Sequence, residues 1–124
     1  MLLDTHSLLW FLAGHRRLSQ SARRVAENSG NVVFASAVSG YELAYKRVRG
    51  LLDFEIVDEL SKYVQKARLI ELPVTMDHMI AAGQLPWAHR DPWDRILAAQ
   101  ARIELLTIVT TDSEYESYGV KTLW

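Results

Sequence analysis

The chain has 124 residues, of which 49% are hydrophobic and 23% charged, and it contains no cysteine. A single domain over residues 1–124 is large enough to bury ~65–70% of its unfolded surface without a disulfide or metal staple, and the missing thiols exclude disulfide frameworks, thiolate zinc sites and cysteine nucleophiles. Fourteen Lys and Arg against fifteen Asp and Glu leave a formal charge of −1, which on its face argues against a strongly basic nucleic-acid binder.

In chain order, Leu2 and Leu3 form a short apolar run that ends at Asp4. The apolar face of Thr5–Gly14, with Leu8, Leu9, Phe11 and Leu12, predicts a helix stopped by Gly14. Ser19–Asn28 reads as a second helix, capped by Ser19. Asn31–Ala35 is a β-branched and aromatic run of the kind found in strands buried on both faces. Helices are predicted over Val38–Arg49, Phe54–Ala67, Thr75–Gln84 with Thr75 as cap, and Pro92–Glu104 with proline at the favoured first position. Short strands are expected at Leu69–Leu72, Thr107–Val109 and, at an edge, Lys121–Leu123. Trp87–Asp91 reads as a loop and Asp112–Ser117 as a short helix. Strands alternating with helices predict an α/β fold whose mostly parallel sheet of about five short strands is covered on both faces. No apolar run approaches the ~20 residues of a membrane span, and an acid stands where a signal peptide would be positive. The expectation is a soluble cytoplasmic protein with no membrane partner.

Four acids are placed suggestively. Asp4 ends the first strand, Glu42 is expected in the first turn of the helix after the second strand, and Asp112 follows Thr107–Val109. In a parallel sheet these positions share the C-terminal edge, where open α/β sheets bind ligands. Asp94, early in its helix, can face the same crevice. Each also has a plain structural reading. Asp4 and Asp112 have the chemistry of N-caps, Ser39 and Glu42 have capping-box spacing, and Asp94 suits the positive end of a helix dipole. Asp91 can cap the helix begun by Pro92 and pair with Arg95. Convergence would have a cost: two carboxylates ~5 Å apart repel by ~3 kcal/mol at an effective dielectric of ~20, in domains stable by only ~5–15 kcal/mol. A converged set must hold protons or cations, and all-oxygen ligands suit Mg²⁺ or Mn²⁺.

The chain resembles the PIN-domain ribonucleases, and among them the VapC-like toxins of toxin–antitoxin pairs. The resemblance rests on Leu2-Leu3-Asp4-Thr5-His6-Ser7-Leu8-Leu9-Trp10, on Ser36–Lys46, on His89–Ala101 and on Leu106–Asp112, followed by Tyr118-Gly119-Val120 and Leu123-Trp124. It implies a three-layer α/β/α sandwich and metal-dependent hydrolysis of RNA phosphodiester bonds with one or two Mg²⁺ or Mn²⁺ ions. The family's metal-binding acids fall on Asp4, Glu42 and Asp94, with Asp112 as a more variable fourth. Asp91 is assigned to capping and Arg95 pairing. Thr5, Thr110 and Ser36 are expected as polar neighbours of the acids. The resemblance further implies an RNA substrate, a cognate antitoxin and a homodimer. Tyr41 and Trp93 stand where relatives often have Trp and Phe.

Lys46, Arg47 and Arg49 read either as a phosphate-tracking rim or as cations suited to a helix C-terminus. Trp93 and Trp87 flank the motif loop and can stack on a base or pack in the core. The four histidines form no metal motif, and no glycine-rich phosphate loop is present. The alternative to a ribonuclease is a catalytically silent PIN-like module that binds RNA or a protein. A receiver-like phosphoacceptor domain is disfavoured because Glu42 and Asp94 lie on predicted helices.

Overall fold

Leu2 and Leu3 are both fully buried and face opposite ways, and the sheet is organised around them. In the computed structural model, which describes residues 1–86 and 91–124, the five strands are β1 (Leu2–Leu3), β2 (Phe34–Ser36), β3 (Ile70–Leu72), β4 (Ile108–Val109) and β5 (Thr122–Leu123). They form one all-parallel sheet in the order β3-β2-β1-β4-β5. Leu2 lies between Phe34 and Ile108, and Leu3 between Ala35 and Val109. The helices are α1 (Thr5–Leu12), α2 (Gln20–Glu27), α3 (Ala37–Val48), α4 (Leu60–Lys66), α5 (Met76–Gln84) and α6 (Pro92–Ile103).

Side chains alternate across a strand, so each two-residue strand serves both layers. Leu2 and Ile108 pack with Val38, Leu97, Ala98 and Ala101 of α3 and α6. Leu3, Ala35 and Val109 pack on the other face with Leu8 of α1, Ala22 of α2 and Val64 of α4. Each fully buried aliphatic side chain contributes about 1.5–3 kcal/mol. The result is the expected α/β/α sandwich, with a fully parallel sheet. Among the described residues, no helix is long and apolar enough to cross a membrane.

Several expected boundaries move. The second strand is Phe34–Ser36 rather than Asn31–Ala35, because its ladder starts where Phe34 N–H reaches the Met1 carbonyl and leaves Val32 half exposed. The strand then runs straight into α3. Ser36 caps this helix by accepting from Val38 N–H at 3.1 Å, which replaces the expected Ser39–Glu42 capping box and puts Glu42 in the second turn instead of the first. Phe54–Ala67 divides into a 3₁₀ helix, Glu55–Glu59, and α4. Its two halves serve different clusters: Val57 packs with Leu9 and Leu43, and Val64 with the sheet. Asp112–Ser117 is a 3₁₀ helix over Ser113–Tyr118, ended by Gly119 at φ 72°, where only glycine is unstrained. Residues 87–90 of the expected Trp87–Asp91 loop, with Trp87 and His89, lie outside the described residues.

Thr75 caps α5 as expected, and His78 proves to be its partner. The Thr75 hydroxyl accepts from His78 N–H, while His78 Nδ1 accepts from Thr75 N–H at 3.1 Å. This makes Nε2 the protonated nitrogen, and it donates to Glu104 Oε1 at 3.0 Å, tying α5 to the end of α6. His78→Phe removes both ring nitrogens, orphans the Thr75 N–H and adds volume at a fully buried position, so a loss of about 2 kcal/mol or more is expected. Urea denaturation checks it; an unchanged midpoint would mean that the two bonds contribute nothing net.

Candidate active site

All five strands end on one edge, because the sheet is fully parallel. β2 and β3 lie to one side of β1, and β4 and β5 to the other, so the strand order reverses between β1 and β4. That crevice is the usual ligand site of an open α/β sheet. Asp4 leaves β1 at this point, and Thr110 and Asp112 leave β4.

The cap readings of the aspartates hold. Asp4 is the N-cap of α1, its Oδ1 accepting from Ser7 N–H at 2.6 Å. Asp112 caps the 3₁₀ helix through Glu114 N–H at 2.9 Å, and Thr110 Oγ1 accepts from Asp112 N–H at 3.0 Å. Asp91 caps α6 through Trp93 N–H at 2.9 Å. Arg95 directs its guanidinium to the carbonyls of Ala82 and Leu85 at 3.1 and 2.7 Å. Asp94 lies in the first turn of α6, where its Oδ1 accepts from the Tyr115 hydroxyl at 3.0 Å. Burial, followed by the charges of Asp94, Asp4 and Asp112, pushes the Tyr115 phenol above its ordinary range.

Glu42 is buried in α3, and its Oε1 accepts from Lys46 Nζ at 2.6 Å, one helical turn on. Its Oε2 is buried and has no hydrogen-bond partner among the described residues. Lys46 Nζ lies 5.6 Å from the centre of the Trp93 ring, beside Asp94 in sequence, and Trp93 packs edge-on to Tyr45. The orphaned oxygen is the clearest test of fit for a cation. A buried carboxylate oxygen is costly unless something positive reaches it, and Lys46 occupies only the other oxygen. With carboxylates as the available donors, the residues suit a hard divalent ion. Among the described residues, no three His, Asp or Glu side chains form a ready-made metal-holding group.

Two residues expected as polar neighbours of the acids, Thr5 and Ser36, make their side-chain hydrogen bonds to other partners. Thr5 Oγ1 donates to Ser39 Oγ at 3.1 Å and links α1 to α3. Ser36 Oγ donates to Gln100 Oε1 at 2.6 Å, and Gln100 donates onward to the Pro73 carbonyl. Of the basic residues, Arg47 pairs with Asp53 and Asp58 at 3.1 and 3.3 Å, and Arg49 covers the Tyr45 ring at 3.5 Å. Sequence reasoning missed Tyr115. Its only trace is a three-residue step from Asp112, the 3₁₀ period that lines side chains up on one face.

A parallel five-stranded sheet in this order, with acids leaving its carboxyl edge, is the architecture of the PIN domain. The PIN-domain profile matches residues 1–121, and the chain belongs to that family. It is 29% identical over 121 residues to Ribonuclease VapC22 of Mycobacterium tuberculosis, covering 95% of this chain and 91% of the relative. Its fold is similar to that in the crystal structure of VapBC2 from Rickettsia felis bound to a promoter DNA fragment, with a TM-score of 0.68 and 15% identity over 98% of this chain and 96% of that one. A toxin–antitoxin complex from Klebsiella pneumoniae aligns with a TM-score of 0.67 and 15% identity over 99% and 95% of the two chains. FitAcB from Neisseria gonorrhoeae aligns at 0.61 and 20% over 99% and 96%.

The Glu42–Lys46 pair leads to a stability prediction. Lys46→Met removes the only cation paired with a buried carboxylate among the described residues and should cost about 2–3 kcal/mol. Adding Glu42→Gln should recover most of that loss. Urea denaturation of both variants checks it; equal stability of wild type and Lys46→Met would show that the pair contributes nothing.

Proposed function

We propose that this chain is a divalent-metal-dependent endoribonuclease acting as the toxin of a toxin–antitoxin pair. The observation that carries the reading is the buried, half-satisfied Glu42 carboxylate on α3, within a PIN-domain chain whose Asp4 and Asp112 follow the two strands that flank the order reversal. Asp4, Glu42 and Asp94 would hold one or two Mg²⁺ or Mn²⁺ ions, with Asp112 as a fourth donor. Such ions lower the pKa of water and neutralise charge on phosphoryl oxygens.

The chain's own residues do the rest. The caps on Asp4 and Asp112 hold one oxygen of each carboxylate against backbone N–H groups. Thr110 braces the Asp112 backbone, and the Thr5–Ser39 bond keeps α1 against α3 beside Glu42. Lys46 shields Glu42 and supplies a positive charge, and Arg49 and Arg47 extend this along α3 as a surface for RNA phosphates. Setting four acids aside from a total of −1 leaves a remainder that is net basic, which suits a polyanionic substrate. The RNA substrate follows the ribonuclease relative. The antitoxin partner follows the complexes in which similar folds are found. A homodimer, a cytoplasmic location and a single PIN-like unit over 1–124 complete the reading.

Asp4→Asn is an informative variant, because asparagine caps a helix as well as aspartate does. Asp4→Asn and Asp94→Asn should each lower Mg²⁺-dependent cleavage of a mixed RNA substrate by about 100-fold or more, with circular dichroism unchanged. Cleavage that persists in both purified variants would overturn these carboxylates as the catalytic ligands, and a wild type that cleaves no RNA would leave the silent RNA- or protein-binding module as the better reading. By linkage, Mn²⁺ at a hundred times its dissociation constant should stabilise the wild type by about 2.7 kcal/mol and Asp4→Asn by much less. Equal thermal shifts would place the ion elsewhere.

A further inference from the structure

Tyr115 is almost wholly buried, yet it carries a polar atom. Its ring packs in the cluster of Leu97, Ala98 and Ile108, a space that phenylalanine would fill as well. The hydroxyl therefore needs a reason beyond packing, since a buried phenol oxygen must find a partner. It finds Asp94 Oδ1 at 3.0 Å. The bond links two separate elements, because Tyr115 lies in the 3₁₀ helix that Asp112 begins and Asp94 lies in the first turn of α6.

We propose that Tyr115 is a positioning residue for metal binding: its hydroxyl holds the Asp94 carboxylate in one orientation for the divalent ion. This rests on the metal-dependent reading above. An aspartate on a helix has two side-chain torsions, and a hydrogen bond to one oxygen restrains both. Hydrogen-bond partners of ligating carboxylates are typically worth about 10–100-fold in metal affinity.

The test is a Mn²⁺ titration of the full chain, with free ion read by electron paramagnetic resonance. Wild type, Tyr115→Phe, Asp4→Asn and, as a control, Tyr63→Phe on α4 are compared. Tyr115→Phe should bind Mn²⁺ about 10–100-fold more weakly. Its Mn²⁺ requirement for RNA cleavage should rise by the same factor, with the rate at saturating Mn²⁺ within about threefold of wild type. Tyr63→Phe should match wild type. If Tyr115→Phe melts lower but binds Mn²⁺ as wild type does, the hydroxyl is structural and the positioning role is overturned while the metal-dependent reading stands. If wild type binds no more tightly than Asp4→Asn, both are overturned.

Discussion

The central strand of this sheet has only two residues, and both are sealed from solvent on opposite faces. Everything else depends on that constraint. Leu2 can satisfy one layer and Leu3 the other only if helices cover both sides. The backbone of the pair must be bonded by parallel neighbours on both edges. β2 and β4 fill those places, and the order reversal between β1 and β4 follows. A strand this short also leaves no slack before the next element. The chain turns into α1 at once, and the residue at the turn must be able to cap a helix. That residue is Asp4.

Using aspartate as a cap reconciles two readings of the acids that first look like competitors. A cap occupies one carboxylate oxygen, and a carboxylate has two. Asp4, Asp112 and Asp91 each bond backbone N–H groups at a helix start, where the helix dipole stabilises negative charge. The caps of Asp4 and Asp112 hold these acids where β1 and β4 end. Glu42 is handled differently. It sits inside α3, is neutralised on one oxygen by Lys46, and keeps the other buried and unbonded. Serine or threonine could replace the capping role of Asp4 or Asp112, but neither could supply a second, charged oxygen.

Local signals were legible where one residue decides the outcome. Ser19, Thr75, Asp91 and Pro92 mark their helix starts correctly, because capping is a matter of a few neighbouring atoms. The β-branched run at residues 31–35 announced a buried strand but misplaced it, since its ladder begins opposite Met1, a partner 33 residues away from Phe34. The Ser39–Glu42 spacing suggested a cap that Ser36 makes instead, because β2 passes into α3 without a loop. The division of residues 54–67 was invisible for a related reason: its apolar residues share one helical period but pack in two different clusters.

The sequence by itself determined the alternation of strands and helices, the family, and the places of Asp4, Asp94 and Asp112 at strand ends and helix starts, while Glu42 falls one turn deeper in its helix than its spacing suggested. These depend on short-range chemistry and on spacing along the chain. The tertiary structure alone decided what each acid faces. Asp94 meets Tyr115, Glu42 is buried with one oxygen unbonded, and the cations of α3 are divided between an internal pair, a surface pair and a tyrosine ring. Asp94 and Tyr115 are 21 residues apart in the chain, and only the packing of α6 and the last 3₁₀ helix over the same sheet face brings a phenol to a carboxylate.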